Sequence, residues 1–184
     1  MKQLHLITVV GLKRTGKTTV VEALVSELRS RGHRVGTVKT MRHHRISLDD
    51  AAADTRRHAE AGASVVVAIT SDGTARFETG APPSSLEEAS RLFPPHIRIL
   101  ISEGAIDPSA PGLVVLCLDD ISALEETLRS RGIRKDLVTA ISGKGAAIAG
   151  PSSLPSFDAT DPAQRKALAD LLLGKIAQTE KGPG

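Results

Sequence analysis

The sequence predicts a three-layer α/β fold with a mostly parallel sheet, and three observations support this prediction. Short runs of branched apolar residues alternate along the chain with segments of helical periodicity. The first run, residues 4–10, is nearly all apolar, which is typical of a strand covered on both faces. A glycine-rich loop, a periodic helix and a second β-branched run at residues 34–39 follow it. This order predicts a parallel β-loop-α-β unit with a right-handed crossover.

The remaining elements continue this alternation as far as the last helix. Helices are predicted at residues 18–31, 51–61, 85–93 and 121–131, and from Asp161, with Pro162 at the first helical position. Further strands are predicted at residues 64–70, 74–78, 97–102, 113–118 and 137–142. The turn at residues 71–73 joins two of these strands into an antiparallel hairpin, which we expect at the edge of the sheet.

Two further patterns concern helix ends and domain limits. The segment L-R-S-R-G occurs at residues 28–32 and again at residues 128–132. We interpret this repeat as the same helix-ending chemistry used twice, because the similarity does not extend beyond it. We expect a single domain over residues 1–178 and a disordered tail over residues 179–184.

Composition and charge limit the classes of function. The 184 residues are 40% apolar and 24% charged with a net charge of +3, which is ordinary for one globular domain. The three aromatic residues, Phe77, Phe93 and Phe157, are too few for base stacking, so we expect no nucleic acid partner. No apolar run approaches the roughly 20 residues that span a bilayer, and no signal-peptide pattern is present. We therefore expect a cytoplasmic protein without a membrane partner, in which Cys117 is a buried thiol.

The loop after the first strand has the pattern G-x-x-x-x-G-K-[ST], from Gly11 to Thr18. Its glycines let the backbone curl around phosphate oxygens, and the following helix adds its positive end. Lys17 is expected to reach the β- and γ-phosphates, and the Thr18 hydroxyl to coordinate Mg²⁺. The pattern therefore predicts a P-loop NTPase fold that binds a nucleoside triphosphate, GTP or ATP, with magnesium. The predicted phosphate-binding residues are Gly11, Lys13, Arg14, Thr15, Gly16, Lys17, Thr18 and Thr19.

Ligands of an open α/β sheet bind beyond the C-terminal ends of its strands, where Lys39 and Glu103 are expected. Nucleotide-binding proteins of this architecture place an acidic group there to hold a magnesium-bound water. We predict this role for Glu103, which makes Thr18 and Glu103 the metal site; the alternative is a carboxylate that caps a helix or fixes a loop. Asp54 is predicted to orient an attacking water or reach the metal shell, or else to be a surface carboxylate near Arg57. The predicted catalytic residues are Lys17, Asp54 and Glu103.

Two pairs of charged or titratable residues admit more than one interpretation. Lys13 and Arg14 could stabilise charge on the transferred phosphoryl group, including across a subunit interface, or be solvent-exposed. His43 and His44 could bind a metal, or be solvated or contact phosphate.

Several motifs in this order point to a known family. They are the loop from Gly11 to Thr19, the valine-rich strand ending at Lys39, His43-His44, Asp54-Thr55, Ala61-Gly62-Ala63, Glu103-Gly104 and residues 154–158. The order resembles the molybdopterin-guanine dinucleotide biosynthesis protein B family. The resemblance implies a dimeric, GTP-binding, weakly hydrolysing P-loop protein. It also implies a partner, the guanylyltransferase that attaches GMP to molybdopterin.

The sequence departs from this family at some positions and leaves other functions open. Ala105-Ile106 follows Glu103-Gly104 in place of an aromatic residue and a lysine, and a later P-K pair is missing. Glu103-Gly104-Ala105 also resembles dethiobiotin synthetase, whose longer phosphate loop is absent. No N-K-x-D motif is present, and Ser142-Gly143-Lys144 is a candidate base contact. The alternatives are a small-molecule kinase or ligase whose loop 40–54 binds an acceptor, and a non-catalytic, nucleotide-regulated adaptor.

Overall fold

The computed structural model describes residues 4–40, 53–104, 112–143 and 153–180. Its strands are β1 (His5–Gly11), β2 (Val35–Lys39), β3 (Val65–Ile69), β4 (Thr74–Glu78), β5 (Ile99–Glu103), β6 (Leu113–Cys117), β7 (Val138–Ser142) and β8 (Ser156–Phe157). Its α-helices are α1 (Lys17–Ser30), α2 (Ala53–Glu60), α3 (Leu86–Ser90), α4 (Leu124–Arg131) and α5 (Pro162–Glu180). Short 3₁₀ turns at Ile121–Ala123 and Lys135–Leu137 precede α4 and β7.

The chain divides into two compact units. The first contains the described residues up to Thr40 and those from Ser85 onward, and the second contains the described residues between them. The division concerns packing inside each unit, so the expected single domain over residues 1–178 stays a prediction.

A six-stranded parallel sheet forms the centre of the first unit, in the order β2-β5-β1-β6-β7-β8. Helices α1 and α5 pack on one face, where Leu24 and Leu168 are fully buried. Helix α4 packs on the other face through Leu124 and Leu128. Each fully buried leucine contributes about 1.5–3 kcal/mol of stability. The predicted three-layer α/β fold is therefore confirmed, with β1 in the interior of the sheet.

The predicted hairpin forms, but it is not part of this sheet. Strands β3 and β4 pair antiparallel with each other in a separate two-stranded sheet in the second unit. The expected position at the edge of the main sheet was therefore wrong. Turn residues specify a hairpin locally, whereas the sheet that a hairpin joins depends on contacts distant in sequence.

The helix ends follow the capping signals of the sequence. The Glu88 N–H donates to Ser85 Oγ at 3.1 Å, and the Gln164 N–H donates to Asp161 Oδ1 at 2.8 Å. Gly32 and Gly132 both adopt positive φ, at 83° and 63°. In both cases the next residue's N–H bonds back to the carbonyl of Leu28 or Leu128, so one C-terminal motif is used twice as predicted.

The last helix is longer than the sequence indicates. Helix α5 extends through Glu180, so Thr179 and Glu180 are helical although we expected a tail from residue 179. The rest of that expected tail lies outside the described residues. No helix within the described ranges is long and apolar enough to cross a membrane.

Candidate functional site

The loop between β1 and α1 turns sharply through two residues with left-handed backbone conformations. Arg14 has φ 69°, and Gly16, the residue before α1, has φ 77° and ψ 14°. Glycine adopts this conformation freely, whereas a residue with a Cβ pays about 1–2 kcal/mol for it. The left-handed conformation is therefore favourable at Gly16, whereas at Arg14 it strains the backbone.

Gly11 is the last residue of β1 and pairs with Cys117 of the neighbouring strand β6. A Cβ built on Gly11 would lie 2.4 Å from the Cys117 carbonyl oxygen and 2.6 Å from Thr15 Oγ1. Thr15 is buried, and its hydroxyl donates to the Leu12 carbonyl oxygen at 3.0 Å. Only glycine at position 11 leaves room for both β6 on one side and the Thr15 side chain of the loop on the other.

Lys17, the first residue of α1, folds its ammonium group back over the loop. Its Nζ donates a short hydrogen bond to the Leu12 carbonyl oxygen. Partial burial lowers the pKa of Lys17 below its ordinary value of 10.5. The loop therefore holds a partly desolvated cation beside the helix N-terminus, an arrangement suited to an anionic ligand.

Thr18, Lys39 and Glu103 meet at the ends of their elements. Thr18 Oγ1 donates to Glu103 Oε1 at 3.0 Å, and Lys39 Nζ lies 3.3 Å from the same oxygen. The meeting follows from the parallel register, which pairs Lys39 with Glu103 at the ends of β2 and β5. The Glu103 side chain is 12% exposed and that of Lys39 is 54% exposed.

The oxygen atoms of Thr18 and Glu103 are of the type that Mg²⁺ prefers as ligands. In the part of the chain that the structure describes, no group of three or more His, Cys, Asp or Glu side chains could hold a metal. A magnesium ion here would thus have two protein ligands, and phosphates and water would supply the rest, as is usual for nucleotide-bound magnesium. The residues present fit such an ion.

A cavity of about 300 Å³ lies on the other side of the β1–α1 loop. Its walls are the loop and the start of α1, together with the segments that follow β6, β7 and β8. The lining residues are Arg14, Thr15, Gly16, Thr19, Val20, Leu118, Asp119, Ser142, Gly143, Asp158, Ala159 and Thr160. The Ser142 hydroxyl is buried and has no hydrogen-bond partner in the described chain. The sheet order places β6–β8 and this cavity on one side of β1, and β5 and β2 with Glu103 and Lys39 on the opposite side.

The structure brings the predicted loop residues and Glu103 together in the first unit. Lys13 is exposed, and Thr18 contacts Glu103 as described. Asp54 lies in the second unit at 84% side-chain exposure, with Oδ1 3.6 Å from Arg57 Nη1. Its catalytic role stays a prediction, and His43 and His44 lie outside the described residues.

Sequence reasoning missed two features of the site. The contact of Lys39 with Glu103 depends on strand register, although Lys39 had been noted as a strand-end residue. The cavity walls at Asp119 and at the turn from Asp158 to Thr160 were also not predicted. The signal that could have found them is their position directly after β6 and β8, where ligands of such sheets bind.

Comparison with known proteins identifies a family. The sequence profile described as Molybdopterin guanine dinucleotide synthesis protein B matches residues 6–129. A Haemophilus influenzae protein named Molybdopterin-guanine dinucleotide biosynthesis adapter protein is 33% identical over 91 residues, which are 50% of this chain and 51% of that protein. The match therefore spans about half the length of this curated relative.

Solved structures support the same fold. A Bacillus subtilis MobB structure matches with a TM-score of 0.66 at 22% identity, covering 92% of this chain and 98% of that one. A MobB homologue from Bacillus stearothermophilus matches with a TM-score of 0.61 at 22% identity, covering 94% and 98%. Because the family profile covers well over half of the sequence, the chain belongs to the molybdopterin guanine dinucleotide synthesis protein B family.

Proposed function

We propose that this protein binds GTP with Mg²⁺, hydrolyses it slowly, and assists the biosynthesis of the molybdopterin guanine dinucleotide form of the molybdenum cofactor. One observation carries the proposal. A sharply turned glycine loop lies beside a hydrogen bond between Thr18 and Glu103, the residue that ends the neighbouring strand β5. The family membership and the name of the Haemophilus relative support the biosynthetic role.

The proposed mechanism is positioning combined with charge neutralisation. When nucleotide binds, the Lys17 ammonium leaves the Leu12 carbonyl oxygen and contacts phosphate oxygens. Its hydrogen bonds to phosphate are stronger because both partners are charged. Thr18 and Glu103 hold Mg²⁺, which supplies charge neutralisation on the phosphates when bound. Arg14 and Lys13 add positive charge within the loop.

The cavity beside Ser142 indicates how the nucleotide is oriented across the end of β1. Glu103 and Lys39 lie on one side of β1, which suits the γ-phosphate and metal end of the ligand. The cavity on the other side has a volume of about 300 Å³, the lower end of the range for small-molecule sites. Its position beside the loop suits the nucleoside. Gly143 lines the same cavity, and the interpretation of Ser142-Gly143-Lys144 as a base contact stays a prediction, with Lys144 outside the described residues.

A nucleotide-regulated adaptor is the second candidate function, because the Haemophilus relative is named an adapter protein. In this case nucleotide binding, not turnover, would control the association with a partner enzyme such as the molybdenum cofactor guanylyltransferase. The two candidates differ in the role of Glu103. Glu103→Gln should slow turnover in a GTPase, while an adaptor would bind nucleotide with no measurable turnover and keep that binding in the variant.

A homodimer is also part of the proposal, and the second unit supports it. Alternate residues Val65, Val67 and Ile69 of β3 are 44%, 52% and 83% exposed on one face of a two-stranded sheet. Helix α2 packs against β3, where Val66 is buried, whereas these three side chains remain exposed in the described part of the chain. A second copy of the same hairpin would cover these apolar side chains in a symmetric contact.

A side-by-side titration tests the proposed nucleotide. Calorimetric titration with GTP, ATP and inorganic triphosphate, each with Mg²⁺, should give the tightest binding for GTP. Lys17→Ala should weaken GTP binding by about 100-fold, because a charge-assisted contact to phosphate is lost. Lys175→Ala on α5 is the matched control and should bind as the wild type does. Unchanged GTP affinity in Lys17→Ala would refute the phosphate-binding assignment.

A further inference from the structure

One carboxylate oxygen in the site has two partners of different kinds. Glu103 Oε1 accepts a hydrogen bond from Thr18 Oγ1 at 3.0 Å, and the Lys39 ammonium lies 3.3 Å from that same oxygen. The second contact is built into the sheet, since Lys39 and Glu103 are register partners at the ends of two neighbouring parallel strands. The ammonium is thus a counter-ion of the carboxylate.

Burial explains why this carboxylate needs a counter-ion. The Glu103 side chain is only 12% exposed, and a mostly buried carboxylate without a cation nearby is strongly disfavoured. Lys39 is 54% exposed, so its long flexible stem can leave the carboxylate without disturbing packed neighbours. The pair therefore joins a fixed anion to a movable cation.

A divalent cation and the Lys39 ammonium compete for this carboxylate. Like charges a few ångströms apart repel strongly even near a protein surface, where the effective dielectric constant is about 20. An ion bound between Thr18 and Glu103 would lie on the oxygen that Lys39 already contacts. Repulsion between the two cations therefore favours exchange of the ammonium for the ion, and each cation lowers the affinity of the carboxylate for the other.

We propose that Lys39 is a built-in competitor of Mg²⁺ that occupies Glu103 until the metal arrives. Lys39 thereby sets the Mg²⁺ concentration at which the nucleotide complex takes up its metal. This inference rests on the proposed function of the site. It assigns Lys39 a regulatory role that is separate from phosphate binding.

The test is a calorimetric titration of Mg²⁺ into protein that is already saturated with GDP. GDP has no γ-phosphate, and saturation removes any effect of Lys39 on nucleotide affinity itself. Lys39→Met removes the ammonium and keeps most of the stem, and it should lower the half-saturating Mg²⁺ concentration about two- to fivefold. This range corresponds to the strength of a partly exposed ion pair. Lys39→Gln should shift the concentration in the same direction.

Lys135→Met is the matched control, because Lys135 is 52% exposed and lies 3.4 Å from Glu125 Oε1 outside the site. It should leave the Mg²⁺ requirement unchanged. In the Glu103→Gln background, Lys39→Met should no longer lower the requirement, because the shared carboxylate is gone. Unfolding temperatures measured with Mg²⁺ alone give a second readout, and Lys39→Met should be stabilised at lower Mg²⁺ than the wild type.

The outcomes separate this inference from the function on which it rests. An unchanged or raised Mg²⁺ requirement in Lys39→Met, with normal GDP binding, would overturn the competitor role alone. A shift that persists in the Glu103→Gln background would also overturn it, since the effect would then act elsewhere. Wild-type protein that binds neither GTP nor GDP would overturn the proposed function.

Discussion

Gly11 and Gly174 are two glycines whose surroundings predict opposite effects of the same substitution. A Cβ at Gly11 would lie 2.4 Å from the Cys117 carbonyl oxygen, while a Cβ at Gly174, inside α5, would have no atom within 4 Å. Gly11→Ala should therefore lower the free energy of unfolding by about 1–3 kcal/mol, as overpacking does. It should also weaken nucleotide binding, because the loop must shift.

Gly174→Ala should raise the free energy of unfolding by about 0.5–1 kcal/mol, since alanine loses less backbone entropy than glycine in a helix. Urea unfolding of both variants measures the two effects. Equal stability of Gly11→Ala and wild type would show that Gly11 is not packed against Cys117 and Thr15 as described.

Cys117 shows how burial changes a reactive group at this end of the sheet. Burial raises the pKa of its thiol from 9.0 to about 12, so about one thiol in ten thousand is ionised at pH 8. The native protein should resist a thiol reagent at pH 8 and be labelled fully in urea. Because the folded-state pKa is the higher one, this thiol's contribution to stability is intact below pH 9 and is lost towards pH 12. Rapid labelling without urea would contradict the buried position.

Asp54 is the predicted catalytic residue for which solution kinetics provides the test. Its carboxylate is 84% exposed and lies near Arg57 in the second unit. If Asp54 orients the attacking water, Asp54→Asn should reduce GTP turnover about tenfold or more, with little change in GTP affinity. Asp72→Asn, an exposed carboxylate of the same unit, should leave both values unchanged. A purely weakened affinity in Asp54→Asn would remove the residue from the catalytic set.

The helices and strands show which parts of the structure a sequence specifies locally. Helix ends at Gly32 and Gly132, and caps at Ser85 and Asp161, were predicted because each signal acts within about five residues of the chain. The glycine loop is local in the same sense. Leu137 was expected in a strand and lies instead in a 3₁₀ turn, because element boundaries depend on neighbouring contacts.

The convergence of Thr18 and Glu103 was predicted, but other features that depend on pairing between distant strands were not. The hairpin forms its own two-stranded sheet. Its turn residues do not determine whether it stays separate or joins the edge of the main sheet. The Lys39–Glu103 pair requires the register of β2 against β5. The cavity requires three strand ends, including that of β8, to meet beside the loop. The loop and the acidic residue Glu103 could therefore be predicted from the sequence, whereas the Lys39 contact and the cavity walls required the fold.

At the scale of the whole molecule, the apolar face of β3 predicts the state of association. Ile69 is 83% exposed, and burying a charge at this position in a dimer contact would be costly. Ile69→Asp should therefore weaken dimerisation about tenfold or more, as measured by sedimentation over a range of concentrations. Leu92→Asp is the control, because Leu92 is also exposed, at 54%, but lies in the first unit. A wild type that stays monomeric at high concentration, or an Ile69→Asp variant as dimeric as the wild type, would exclude β3 as the interface.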